Sequence, residues 1–348
     1  MNRKENYLSV FSNCFLTKGV SRSLIFDYQR EDLFFISNLH YDFLSQCKSS
    51  PFKEVEIEFN DLIEESELQE FISFGLENEL FFWTNTPDFF PDVEVHFEHP
   101  SLITNAIIDI DKTSKHNYTQ IFEQLESVGC KDVQVRFYSE ETYENIVTII
   151  ELSRLNMHGQ SIELILKNTI ELTDERLFDL TQKFIFIKSI VVHSAEKNEL
   201  FKINSHAMRS GMGNILFTKQ RIDSSSHCGI IHSAGFNYNN ISAYMEAKNF
   251  NSCLNKKIGI DVDGSVKNCP SQEKSYGSVV TDSILEICLS NKFQEVWSIN
   301  KDQVKICSDC EFKYICSDCR IFIEDKSDIY SKPLKCNYDP YTATWAEV

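Results

Sequence analysis

The sequence predicts a mixed α/β chain in three parts, and three observations carry that expectation. Residues 1–90 mix short β-prone runs with helical periodicity, residues 100–223 repeat a strand-then-helix order, and residues 224–348 hold most of the cysteines. The length of 348 residues suits two or three domains.

In the first part, residues 23–36 are two β-prone runs around a polar turn and predict a hairpin. Ser37 and Asn38 can cap a short helix through about Cys47. Phe59-Asn60-Asp61 precedes a longer helix with Leu68, Phe71, Ile72 and Leu76 on one face, and Leu80 to Trp83 reads as a strand. Strands, helices and a returning strand make a small winged-helix-like α+β unit, which ends where Pro87, Pro91 and Pro100 break regular structure. The alternation at Val93 to Phe97 reads as strand, so the HxxH of His96 and His99 does not predict a helical zinc site.

From residue 102 the order is strand (102–110), helix (118–128), strand (132–138), helix (141–155), strand (161–166), helix (173–184) and strand (187–193). Such βα units imply parallel strands with crossover helices. About 100 residues fall well short of the roughly 250 of an eightfold barrel, which leaves a partial barrel or a small open sheet. From Ser224 onward, short strands and polar turns leave too little apolar material for an ordinary core, a deficit that bound metal would repair.

Composition narrows the function. The net charge of −18 would repel a phosphate backbone, which disfavours nucleic acid and anionic membranes as partners. The apolar runs fall far short of the roughly 20 residues of a membrane span. Ser9, Ser12, Asn13 and Thr17 interrupt any signal-like stretch after Met1 to Asn6. The expected compartment is a reducing cytoplasm, where thiols are free, catalytic or metal-bound. Cys14, Cys47, Cys130 and Cys288 stand alone and read as small buried hydrophobes.

The remaining cysteines carry the chemistry. Cys307-Ser-Asp-Cys310 and Cys316-Ser-Asp-Cys319 are two CxxC pairs five residues apart, and Cys336 follows sixteen residues later. A CxxC turn points two thiolates at one centre, which suits an iron–sulfur cluster or zinc. Upstream, Cys253 and Cys269 flank Gly264 at ten and four residues' distance. Asp261-Val-Asp263-Gly264 predicts a tight turn that folds the two cysteines back toward each other.

The order Cx10Gx4C, CxxCx5CxxC and a final Cys resembles the SPASM domain at the C-terminus of many radical-SAM peptide-modifying enzymes, over Cys253 to Cys336. That family has three residues between the last pair where Cys316 and Cys319 have two. The resemblance implies two 4Fe-4S clusters, the outer held by Cys307, Cys310, Cys316 and Cys336, the inner by Cys253, Cys269 and Cys319. Cys228, followed by the permissive Gly229, is the candidate fourth inner ligand, with His227 and His232 as substitutes. The loop after the first strand of the alternating region, Asp111 to Asn117, is where radical-SAM enzymes carry CxxxCxxC. It has no cysteine, and that motif occurs nowhere in the chain. The resemblance therefore implies a degenerate radical-SAM-like partial (β/α) barrel over 100–223, with no S-adenosylmethionine site and no reductive cleavage of that molecule.

Cys253-LNKKIGID, Lys267-Asn-Cys269-Pro270, Cys316-Ser-Asp-Cys319-Arg320 and Lys335-Cys336-Asn-Tyr-Asp-Pro-Tyr341 look like the peptide maturase of grasp-with-spasm cassettes. That likeness implies a ribosomally made precursor peptide as client and an ATP-grasp ligase as companion. Residues 1–90 would be the peptide-recognition domain, binding by β-augmentation. The acidic run Glu54, Glu56, Glu58, Asp61, Glu64, Glu65, Glu67 and Glu70 reads as a solvated face. The alternatives are a zinc-stabilised, non-catalytic peptide-binding scaffold and an electron-transfer protein. No residue in the sequence identifies itself as a nucleophile or general base.

Overall fold

The computed structural model describes residues 6–202, 213–238 and 240–346; residues 1–5, which open the stretch read for a targeting signal, lie outside them. Two compact units emerge, and neither is continuous in sequence. One gathers Met1–Phe97, Ile230–Ser252 and Ile299–Val348, the other Glu98–Gly229 and Cys253–Ser298.

The first unit begins with β1 (Tyr7–Val10), β2 (Cys14–Lys18), β3 (Ser23–Asp27) and β4 (Asp32–Ile36). The expected hairpin is β3–β4, and β2 adds to it as a third antiparallel strand. Ser37 caps α1 (Asn38–Cys47) by accepting from the His40 backbone N–H at 3.0 Å. Then come α2 (Phe52–Phe59), α3 (Glu65–Glu77) and β5 (Phe81–Thr84), which returns to pair with β1. Phe43, Leu44, Val55, Phe71, Ile72, Leu80 and Phe81 form the core between these elements. All but Glu56 of the acidic run are exposed on and around α2 and α3, as a solvated face should be. Two details differ from expectation. α2 was not anticipated, and Val93 to Phe97 is irregular, since side-chain alternation makes a strand only where a ladder partner exists.

In the second unit the alternating order is realised as β6 (Asn105–Ile110), α4 (Tyr118–Ser127), β7 (Asp132–Phe137), α5 (Tyr143–Asn156), β8 (Ser161–Lys167), α6 (Asp174–Lys183) and β9 (Ile187–His193), followed by β10 (Glu199–Lys202) and β11 (Asn214–Phe217). Asn117, Thr142 and Thr173 cap the three helices with side-chain oxygens. The chain leaves this unit for α7 (Ile241–Asn249) of the first one. It returns with β12 (Lys257–Ile260), β13 (Ser265–Lys267), β14 (Gly277–Ser278), α8 (Ile284–Leu289) and α9 (Asn291–Gln294).

The result is one nine-stranded sheet ordered β10-β11-β9-β8-β7-β6-β12-β13-β14. It is parallel from β12 to β11 and ends in antiparallel pairs on both sides. Ile108, Val135, Leu164 and Ile190 face helix residues Phe122, Ile149 and Leu177 in the main core. By strand alternation Asp109, Arg136 and Glu163 face the other side. The sheet continues into the cysteine-rich stretch, because β12 pairs with β6 in parallel, Ile258 opposite Ala106.

The first unit closes with the tail. β15 (Tyr338–Asp339) pairs with β16 (Thr344–Trp345), and an aromatic cluster of Phe26, Tyr28, Phe236, Tyr244, Phe312, Tyr314 and Tyr338 forms its second core. The β2–β3 turn meets the first CxxC turn here. The Val20 N–H donates to the Asp309 carbonyl at 2.7 Å, and a Cβ at Gly19 would stand 2.8 Å from the Glu311 nitrogen, so only glycine fits. No described helix is long and apolar enough to cross a membrane.

Candidate metal centre

Cys307, Cys310, Cys316 and Cys336 all lie in the first unit. Cys307 opens a 3-10 turn that Ile306 enters at φ +67°, and the Cys310 N–H closes it on the Cys307 carbonyl at 3.1 Å. Cys310 and Cys336 pack against the aromatic cluster that contains Cys316. Cys336 is placed by a parallel bridge to Ile231. Burial pushes the Cys307 thiol up to about 12 against the lowering effect of Lys301, with Asp318, Cys316 and Cys336 raising it further. Burial also raises Cys310, where Cys316 contributes, and Cys316, where Cys336 contributes. Any of these thiols that ligates a metal would have to release its proton to it.

Lys301 stands among them, only 4% exposed. Its Nζ donates to Cys316 Sγ at 2.9 Å and to the Ser317 carbonyl at 3.0 Å. The second CxxC turn is anchored by its internal aspartate. Asp318 accepts from Arg320 Nη2 at 2.8 Å and from Asn251 Nδ2 at 2.6 Å, while Arg320 Nη1 donates to the carbonyls of Ile329 and Ser331. Ser252 Oγ accepts from the Asp318 N–H at 3.0 Å.

The inner candidates divide between units: Cys228, Cys253 and Cys269 in the second, Cys319 in the first. The β12–β13 hairpin turns as predicted, with Gly264 at φ +84° and the Asp261 N–H donating to the Ser265 carbonyl at 3.0 Å. It carries Cys253 and Cys269 back toward Lys257, whose Nζ is 3.8 Å from Cys253 Sγ. Burial would lower the Lys257 ammonium, but the negative potential of Cys253, Cys269 and Cys228 outweighs it and holds the group above its ordinary value. Burial pushes Cys269 up to about 11; Lys257 opposes this, and Cys253 and Cys228 add to it. Cys228 is exposed. Cys319 Sγ accepts from the Phe322 N–H at 3.3 Å. His227 pairs with Asp223 at 3.2 Å, and His232 lies against Trp345 in the other unit. Among the described residues no three or more His, Cys, Asp or Glu side chains are drawn tightly enough to hold a single metal ion.

The sheet of the second unit also presents a charged cluster. Asp109 on β6 is fully buried and takes Arg136 on β7 in a two-point ion pair at 2.6 and 2.8 Å, and Tyr138 donates to the same carboxylate at 2.7 Å. The Asp111–Asn117 loop is closed by its own side chains: Asp111 Oδ1 accepts from Thr113, and His116 Nε2 meets the Asp109 carbonyl. Cys14, Cys47, Cys130 and Cys288 are buried, as their isolation suggested.

Sequence reasoning missed Lys301, Lys257, Asp318, Arg320 and Arg136. Their types are ordinarily surface residues; only Lys257, four residues after Cys253, and Asp318 and Arg320, inside and beside the second CxxC, had a positional signal.

Comparison with known proteins gives one family match: SPASM, an iron-sulfur cluster-binding domain, over residues 252–311. No curated protein matches the chain. Among solved structures, Streptococcus suis SuiB bound to S-adenosylmethionine is 11% identical, with 94% of this chain and 98% of that chain covered at a TM-score of 0.34. The same protein bound to precursor peptide SuiA is 10% identical, covering 90% and 96% at a TM-score of 0.29. The heterocyclase TruD is 10% identical over 46% of this chain and 25% of that one, at 0.17. At these scores the structural likeness settles neither fold nor chemistry.

Proposed function

We propose that this chain is an iron–sulfur SPASM-domain protein that serves the maturation of a ribosomally made precursor peptide, beside an ATP-grasp ligase and without cleaving S-adenosylmethionine. The observation that carries the reading is that Cys310, Cys316 and Cys336 meet at one aromatic core, with buried Lys301 donating to Cys316 and the Cys307 turn in the same unit. A donor set of four thiols with a buried cation fits a thiolate-ligated 4Fe-4S centre. Cys228, Cys253 and Cys269 would contribute ligands to the second. When bound, such clusters supply one-electron transfer or an iron site for substrate atoms.

The chain's own residues have separate tasks. Asp318, Arg320 and Asn251 fix the second CxxC turn, and the sheet hairpin presents Cys253 and Cys269. The segment 1–90 would take the peptide as an added strand, since β1 and β5 pair only with each other in the described sheets and leave edges open. The loop after β6, which has no cysteine and is closed by Asp111, supports the absence of a radical-SAM cluster.

The test is anaerobic purification with iron, zinc and acid-labile sulfide analysis, then binding of the small peptide encoded beside the gene. Expected are iron, sulfide, absorption near about 400 nm and affinity for the peptide in the loaded protein. Zinc without sulfide would leave the scaffold alternative, and no peptide affinity in any metal state would end the maturation reading.

A further inference from the structure

Lysine is among the side chains least often buried, because its ammonium loses hydration that only a negative partner replaces. Lys301 is nonetheless 4% exposed and aims its Nζ at Cys316 Sγ, 2.9 Å away. The nearby carboxylate of Asp318 is already balanced by Arg320 Nη2 at 2.8 Å and also engaged by Asn251. Asp318 and Arg320 together are neutral, so apart from the Ser317 carbonyl, which accepts from Nζ at 3.0 Å, sulfur is what faces the Lys301 charge. A neutral thiol is a weak acceptor and offers an ammonium little. Four thiolates around a metal core leave the centre with net negative charge, and that is the partner a buried cation requires.

The second thiol group, in the other compact unit and on an unrelated scaffold, also has a lysine beside it, here half-buried and at a longer distance. Lys257, at the start of β12, holds its Nζ 3.8 Å from Cys253 Sγ, within the field of Cys269 and Cys228. One lysine sits on a turn-rich tail and the other on a parallel sheet, so shared local structure does not account for both.

We propose that Lys301 and Lys257 are built-in counter-cations, one for each thiolate centre, and that each sets the reduction potential of its own centre. Adding an electron makes a thiolate-ligated cluster more negative, and a fixed cation beside a ligand sulfur stabilises that reduced form more than the oxidised one. Both lysines are positioning residues that act through ligand sulfurs, and this role rests on the metal-centre reading given above.

The experiment uses the full chain loaded anaerobically, as wild type, Lys301→Met, Lys301→Arg and Lys257→Met. Iron content and EPR-monitored midpoint potentials are read for each. The expected result is full iron with one centre's potential shifted negative in Lys301→Met, the other centre's in Lys257→Met, and recovery in Lys301→Arg. Full iron with both potentials unchanged overturns the proposal. Thermal melting covers variants that fail to load, or a wild type that holds zinc. Metal-free Lys301→Met should melt above metal-free wild type, because an unbalanced buried cation is gone, whereas the loaded variant should melt below loaded wild type. A metal-free variant that melts no higher also overturns it. A wild type without any metal instead overturns the metal-centre reading itself.

Discussion

The two thiol groups are built on opposite kinds of scaffold. Cys253 and Cys269 flank a hairpin within the nine-stranded sheet, whose backbone is held by ladder pairing to β6 and β14. Cys307, Cys310, Cys316 and Cys336 sit on turns of a tail whose regular structure is one 3-10 turn and the two-residue strands β15 and β16. The difference teaches where metal energy goes. In the sheet unit it is added to a finished fold, and in the tail it completes one.

The largest expected effect follows from that contrast. Cys316→Ser should abolish the outer centre and lower the stability of its unit by several kcal/mol, since structural metal sites carry on the order of 10 kcal/mol of folding free energy. Hydrogen exchange would show residues 299–346 losing protection while β6 to β9 keep theirs. Cys269→Ser should remove comparable iron and leave both regions protected. Equal loss of protection in the two variants would break the comparison.

Next in size is Arg136→Met. It strands the buried Asp109 carboxylate, with only Tyr138 still donating to it, and should cost about 3–5 kcal/mol in urea unfolding. Burial raises Asp109 above the usual carboxylate range despite Arg136. Without Arg136 the carboxyl rises further and takes up a proton at higher pH. The variant's penalty should therefore shrink as pH falls.

How much of this could be read in the sequence depends on the range of the interaction. The strands and helices from β6 to β9 were legible because hydrophobic period and caps such as Asn117 and Thr142 are local. The β12–β13 hairpin was legible from Asp263 and Gly264. The parallel pairing of β12 with β6 was not, since it joins Ile258 to Ala106 across 152 positions with no turn to announce it. Lys301 was illegible for a related reason: its burial follows from where Cys316 lies in space, and nothing near Lys301 in the sequence marks it.

A smaller effect tests the N-terminal sheet, where no thiol centre is involved. Burial would raise Asp27, but the hydrogen bonds from Arg30, Asn13 and the Gln29 and Arg30 N–H groups prevail and hold it below the ordinary carboxylate range. A depressed folded value stabilises the protein above the unfolded pKa of about 4, and that stability is lost as pH falls through the folded value. Asp27→Asn should cost about 1–3 kcal/mol at pH 7 and flatten the acid side of the stability curve below about pH 4. Acid denaturation unchanged by the substitution would contradict the assignment.

Gly264→Ala gives the smallest change and separates backbone geometry from metal energy. Gly264 holds φ +84°, which costs a residue with a Cβ about 1 kcal/mol. The added methyl would meet Val279 Cγ2 at 3.3 Å, a side-chain contact that can yield. The hairpin is also held by the Gly264 N–H to Asp261 and the Val279 N–H to Gly264, bonds an alanine retains. The variant should thus melt a few degrees lower with the iron of Cys253 and Cys269 still in place. If it loses iron in proportion to the Cys269→Ser variant, the sheet does not hold its thiols independently of the metal, and the two groups depend on their metal alike.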